Sequence, residues 1–241
     1  MGGQSAGAAA PRLARVAQIR DIPVALDGVG VTRPRPVLVL VGGAGGMDEA
    51  TQQVLAGVLR DALLPAVDRH GAAVVDGGTD SGVMRMLGRA RAAKNGTFPL
   101  IGVAAERTVR VPGGGPVIDD AAEPEPNHSH LLLVPGDRWG DESVWLRAVA
   151  DVVADDRPAV TVVVNGGEIT YADTTGSLDR GHPVVVLAGT GRTADAIADA
   201  RSGRAADARA TAIAASSLTW VVAVDDVGAV GTTVDALLSR A

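Results

Sequence analysis

From residue 37 onward, short unbroken runs of Val, Leu and Ile alternate with longer stretches in which apolar residues recur every three or four positions. The runs are Val37–Val41, Ala72–Val75, Phe98–Val103, Leu131–Val134, Ala159–Val164, Pro183–Leu187 and Trp220–Val224. Each is too continuous for a strand with one wet face, and such runs mark strands covered on both sides, as in parallel sheets. The periodic stretches predict helices over Asp48–His70, Val83–Ala93, Glu142–Ala154, Thr170–Arg180 and Thr193–Ala215, with a terminal helix from about Thr232. Pro65 is expected to kink or end the first of these, and Gly203 to break the fifth. Strand and helix in alternation predict an α/β chain: a Rossmann-like, doubly wound, mostly parallel sheet of about seven strands in a single domain over 36–241. Residues 1–35 are expected as a flexible leader and an arm over the domain surface. Between Glu106 and Asn127 no element is predicted, and so long a segment points to a functional loop.

Composition narrows the classes. The chain has 241 residues and no cysteine, which removes disulfide scaffolds, thiolate metal sites and Cys nucleophiles. The net charge of −6 and the scarcity of aromatic residues argue against a nucleic-acid partner. No apolar run approaches the ~20 residues that span a bilayer, and the N-terminus lacks a signal pattern, so no membrane and a cytoplasmic location are expected.

The 31 glycines change the picture because of where they fall. Four glycine-rich segments each follow a predicted strand and precede a predicted helix. They are Gly42-Gly43-Ala44-Gly45-Gly46, Gly77-Gly78-Thr79-Asp80-Ser81-Gly82, Gly166-Gly167 and Gly189-Thr190-Gly191. In an open parallel sheet all four lie at the carboxyl edge, where such folds bind ligands. Glycine lets the backbone approach closely, and the following helix offers free N–H groups that suit phosphate oxygens. A nucleotide-like, phosphate-bearing ligand is the resulting expectation. The P-loop and G-x-S-x-G patterns are absent, and Gly43-Ala44-Gly45-Gly46-Met47-Asp48 lacks the third glycine of the dinucleotide fingerprint.

Single residues carry two readings each. Thr79, Asp80 and Ser81 either contact a phosphate or ribose or cap the helix that follows. Arg138 and Arg192 either pair with phosphates or sit on the surface. Trp139 is placed to stack on a base, as is Tyr171 if the ligand carries one, whereas Trp145 belongs to the core. Asp76 orients a ribose hydroxyl or caps its turn. His128 and His130 are two apart, on one side of an incoming strand, and read as a structural or ligand-contacting pair rather than a metal site. Gly78 is expected to tolerate Val without loss of the fold, at the cost of ligand binding.

The motifs form a recognisable series: Gly77 to Met84, Pro99 to Val103, Glu123 to Leu131, Pro135 to Glu142, Asn165-Gly166-Gly167, and Gly189 to Ala198. In that order they resemble the cytosolic N-terminal domain of melastatin-type transient receptor potential channels. That domain belongs to the SLOG superfamily, and the chain is similar to its prokaryotic, soluble (LSDAT-type) branch; Smf/DprA and LOG proteins are more distant. The resemblance covers about residues 37–200. It implies a Rossmann-like fold and a sensor for a nucleotide-derived signal such as ADP-ribose, cyclic ADP-ribose, AMP or an NAD-derived molecule, with no obligatory cofactor. It also implies ligand contacts at Asn127, His128 and Asp137, and a separate effector protein, since these residues are accounted for by the arm and one domain. LOG proteins release a base from a nucleoside monophosphate through P-G-G-x-G-T-x-x-E. Here the matching stretch is Asn165-Gly166-Gly167-Glu168-Ile169-Thr170-Tyr171-Ala172-Asp173, with Asp173 at the catalytic acid and Ile169 in place of a glycine. Phosphoribohydrolase activity is therefore the alternative, with Asp173 as acid/base. A further alternative is a structural domain forming homo-oligomers through the Asp48–His70 and Val144–Val153 helices.

Overall fold

The computed structural model describes residues 10–43, 45–205 and 207–240. Eight strands form one sheet: β1 (Arg12–Arg15), β2 (Val37–Gly42), β3 (Ala73–Asp76), β4 (Leu100–Ala105), β5 (His130–Val134), β6 (Ala159–Val164), β7 (Val184–Ala188) and β8 (Thr219–Ala223). Their order is β1-β5-β4-β3-β2-β6-β7-β8, and every pairing is parallel. The apolar runs behave as their continuity requires: β3, β4, β5 and β6 are buried at every position.

Helices cover both faces. One core layer holds residues of α1 (Ile22–Gly28), α5 (Ser143–Ala154), α6 (Glu168–Asp179), α7 (Arg192–Arg201) and α8 (Ala208–Ala215). The opposite layer holds residues of α2 (Glu49–Val58), α3 (Leu64–His70), α4 (Gly82–Ala93) and α9 (Val227–Leu238). Asp48, Asp207 and Asp226 cap α2, α8 and α9 by accepting from Thr51, Ala210 and Ala229 N–H at 2.7, 2.8 and 2.9 Å. Pro65 does not end its helix. The chain passes through one π-helical turn, Leu59–Leu63, and continues as α3 to a left-handed Gly71.

The eighth strand comes from the segment expected as a surface arm. β1 pairs with β5, Arg12 opposite His130, and Val16 N–H donates to Leu133 O at 2.9 Å. Ile22 and Leu26 of α1 are fully buried. The sequence Arg-Leu-Ala-Arg has no apolar run because an edge strand is half wet; backbone pairing to β5, not side-chain burial, makes it a strand. Residues 1–9, the rest of the expected leader, lie outside the described residues.

Candidate functional site

Leaving β2, the chain moves outward through β3, β4 and β5, then returns to place β6 on the other flank of β2. The loops after β2 and β6 therefore diverge and open a crevice at the carboxyl edge. It holds a cleft of about 460 Å³, within the range of small-ligand sites. Gly42 makes the crevice possible, because a Cβ there would lie 1.8 Å from Val164 O and its φ is +128°.

Ten of the residues singled out in the sequence line this cleft. Gly42 and Gly43 come from the loop after β2; Gly77, Thr79 and Ser81 from the loop after β3; Gly166 and Gly167 from the loop after β6. Trp139, Asp173 and Arg192 complete the set. Ala44 lies outside the described residues. Gly45 flanks the cleft beside Arg192: a Cβ on it would sit 3.6 Å from Arg192 Nη1, and one on Gly167 3.0 Å from Nη2. The guanidinium thus spans two glycine loops. Among the described residues no carboxylate lies within ion-pair distance of it. Arg192 also has φ +49°, a conformation an arginine adopts only under constraint.

The far wall carries acids. Asp173 is 7% exposed. Burial raises its pKa, opposed by Ser143 and by Arg147, whose Nη1 stands 3.7 Å from Asp173 Oδ1. That Oδ1 has no hydrogen-bond partner. Glu142, which no spacing in the sequence marked, lines the same wall. Burial raises its pKa, and the Asp173 charge adds to this against bonds from Gly140 N–H at 3.0 and 3.1 Å. Trp139 is held by its indole N–H donating to Asp120 Oδ2 at 2.9 Å, which ties it to the long loop and leaves the ring 36% exposed. Ile169 packs over Gly140 at the rim.

The other sequence-marked residues do different work. Asp80 accepts from Arg85 Nε at 2.7 Å, Gly82 starts α4, and neither lines the cleft. Arg138 turns to solvent, its side chain 83% exposed and 3.7 Å from Asp137. Thr190 accepts from Asn165 N–H at 2.8 Å, Gly191 packs near the Asn165 amide, and Gly189 donates to Asp195 at 2.6 Å, so this loop braces β6 and α7. Tyr171 is away from the cleft: its hydroxyl donates to Asp207 at 2.8 Å, Arg209 stacks on its ring at 4.2 Å, and burial with the Asp207 bond pushes its pKa up to about 12.

Behind the Gly77–Ser81 loop lies a group of buried charges. Asp76 Oδ1 accepts from Gly78 N–H and from His128 Nε2, both at 2.8 Å. His128 Nδ1 faces Glu125 Oε2 at 2.8 Å, and Asn127 donates to Glu125 through its backbone and side-chain amides at 2.8 and 2.6 Å. Asp76, Glu125 and His128 are 0, 1 and 2% exposed. Burial alone would lower the His128 pKa, but the charges and hydrogen bonds of Asp76 and Glu125 outweigh it and raise it to about 9. Asn127, His128 and Asp76 are thus behind the loop rather than in the cleft. Gly78 itself packs on β4: a Cβ would lie 2.7 Å from Gly102 Cα at φ +66°, so Val at this position would break the packing, against the expectation that the fold tolerates it.

Among the described residues no helix is long and apolar enough to cross a membrane. The protein-family model described as SLOG in TRPM, prokaryote, matches residues 35–230. Transient receptor potential cation channel subfamily M member 2 of Mus musculus is 27% identical over 204 residues, and that of Rattus norvegicus 26%; each match covers 70% of this chain. The matched region spans only 13% of each channel's length. The X-ray structure of TM1055, a structural genomics target, superposes with a TM-score of 0.50 at 19% identity, covering 82% of this chain and 99% of that one. With the family model matching most of its length, the chain belongs to the prokaryotic family of SLOG domains related to TRPM channels.

Proposed function

We propose that the cleft binds a phosphorylated ribosyl ligand, a nucleotide or a nucleotide-derived signal of the ADP-ribose, cyclic ADP-ribose, AMP or NAD-derived kind, and that the protein acts as its sensor. The carrying observation is Arg192, a cation at the start of α7 without an ionic partner among the described residues, its guanidinium laid between the glycine loops that follow β2 and β6. Backbone N–H groups, helix N-termini and a guanidinium at one point suit a phosphate. Trp139 offers the aromatic face for a base, and Asp173 Oδ1 accepts from a ligand hydroxyl. Calorimetric titration with AMP, ADP-ribose, cyclic ADP-ribose and NAD tests this. Saturable binding that weakens ~10-fold or more in Arg192→Ala supports it, and no heat with any of the four overturns it.

A second reading has its own observation, the buried Asp173 with a raised pKa and a free oxygen beside Arg147. Burial favours the neutral form of this carboxyl, the form that a general acid needs. The C1′–N bond of a nucleoside monophosphate would break with the proton passing to the leaving base. Water would add to C1′ and return its proton to Asp173, giving base and ribose 5-phosphate. Base release from AMP, abolished in Asp173→Asn, distinguishes this from binding alone. Assembly into a homo-oligomer and relay to a separate effector remain part of the proposal. The helices expected for assembly spend Val149, Val153 and Leu55 on the core and leave Val144 and Val54 outside.

A further inference from the structure

The group of buried charges behind the cleft is unused by either reading, and its connections run toward the ligand wall. Asp76, at the end of β3, ties His128 to the Gly78 amide through one oxygen. Glu125 returns to the same loop through its backbone, donating to Gly78 O at 3.0 Å, while Asp80 N–H donates to Glu123 O at 2.7 Å. The Glu123–His128 segment therefore holds Gly78 directly at its C=O and, through the His128–Asp76 contact, indirectly at its N–H. Three neighbours of Gly78, namely Gly77, Thr79 and Ser81, line the cleft, and the Thr79 and Ser81 hydroxyls are 3.1 Å apart.

A strap needing no more than shape would be apolar. This one places a histidine between two carboxylates with both ring nitrogens at 2.8 Å, so both nitrogens donate only when the ring is an imidazolium. Helix α4 makes room for it, since a Cβ on Gly88 would lie 2.1 Å from the Glu125 carboxyl.

We infer that Asp76, His128 and Glu125 are positioning residues that hold the Thr79–Ser81 wall in its ligand-binding form, and that deprotonating His128 releases it. The effect on ligand rests on the phosphorylated-ribosyl reading above. The charged and titratable groups around His128 are Asp76 from β3, Glu125 from its own segment, Arg91 from α4, which donates to Asn127 O at 2.9 Å, and His130 of β5. His130 is lowered by burial and by Arg12 and Arg91, whereas His128 is held at about 9. AMP carries its full phosphate charge well below this range, so it is a suitable probe above neutrality.

The experiment joins two measurements on the whole chain. Backbone amide exchange by NMR reads the loop, and calorimetry with AMP and ADP-ribose from about pH 7 to about pH 10 reads the ligand site. In His128→Gln and in Gly88→Ala, exchange at Gly78 and Thr79 rises ~10-fold or more while the β6 and β7 amides stay protected, and AMP affinity falls ~10-fold at neutral pH. In the wild type, affinity drops as pH passes about 9, and His128→Gln lacks that step. Tyr171→Phe, a change at the α6–α8 contact, leaves the loop amides unchanged. If His128→Gln does not fold, Gly88→Ala and the wild-type pH series decide. Folded variants with unchanged loop exchange and affinity, or a wild-type affinity flat to about pH 10, overturn the inference. A wild type that binds neither probe overturns the ligand reading instead, and the loop exchange still decides whether the brace exists.

Discussion

The two walls of the cleft treat their charges in opposite ways. On the Gly77–Ser81 side, the charges are behind the surface and matched: Asp76, His128 and Glu125 are almost fully buried and joined at 2.8 Å, and Asp80 is paired with Arg85. On the side of α6 and α7, the charges line the surface and are loosely held: Arg192 has no ionic partner among the described residues, and Asp173 faces only Arg147, at 3.7 Å and without a hydrogen bond to that oxygen. Matched buried charge serves structure, because breaking it is costly. Unmatched charge at a cleft is tolerated because a ligand, or water in its absence, completes it. In the proposed reading, one wall provides geometry and the other provides chemistry.

The largest break in this contrast comes from Asp76→Ala, which leaves a buried imidazolium against one carboxylate. It should cost ~3–5 kcal/mol of stability, read by denaturant unfolding. The His128 pKa is raised in the folded state, so its stabilisation is fully present below about 6.5 and is lost as pH rises through about 9; a pH series of unfolding midpoints should show that fall. Arg192→Ala should do the reverse: stability within ~0.5 kcal/mol, AMP binding weaker by ~1.5–3 kcal/mol in calorimetry. Arg192→Gly should match that loss and gain up to ~1 kcal/mol of stability by relieving the positive φ. Tyr171→Phe, removing the bond to Asp207, should cost ~1 kcal/mol of stability with no change in affinity. Asp80→Asn is the smallest change, ~0.5 kcal/mol at a half-buried surface ion pair and none in binding.

The contrast also explains what was readable beforehand. The glycine loops were legible because a backbone approach as close as Gly42 to Val164 excludes every other residue. Arg192 and Asp173 were legible from their place in an ordered motif series. His128 stayed open between a structural and a ligand-contacting role because a histidine beside Asn and Ser looks the same in sequence whether its ring faces a ligand or two buried carboxylates; Asp76 is 52 residues away. Glu142 was missed because it sits in a helix start where acids are common, and only burial beside Asp173 sets it apart.

By itself, the sequence determined the seven strands from Val37 onward, the helices between them and the edge of the sheet at which the loops gather, because burial on both faces and the demands of tight turns act locally along the chain. Tertiary structure alone decided that Arg12–Arg15 is a strand, that buried charges stand behind the Gly77–Ser81 loop, and that Arg192 lines the cleft with no ionic partner among the described residues. Those depend on what faces a side chain across the fold, and pairing over tens of residues leaves no local mark.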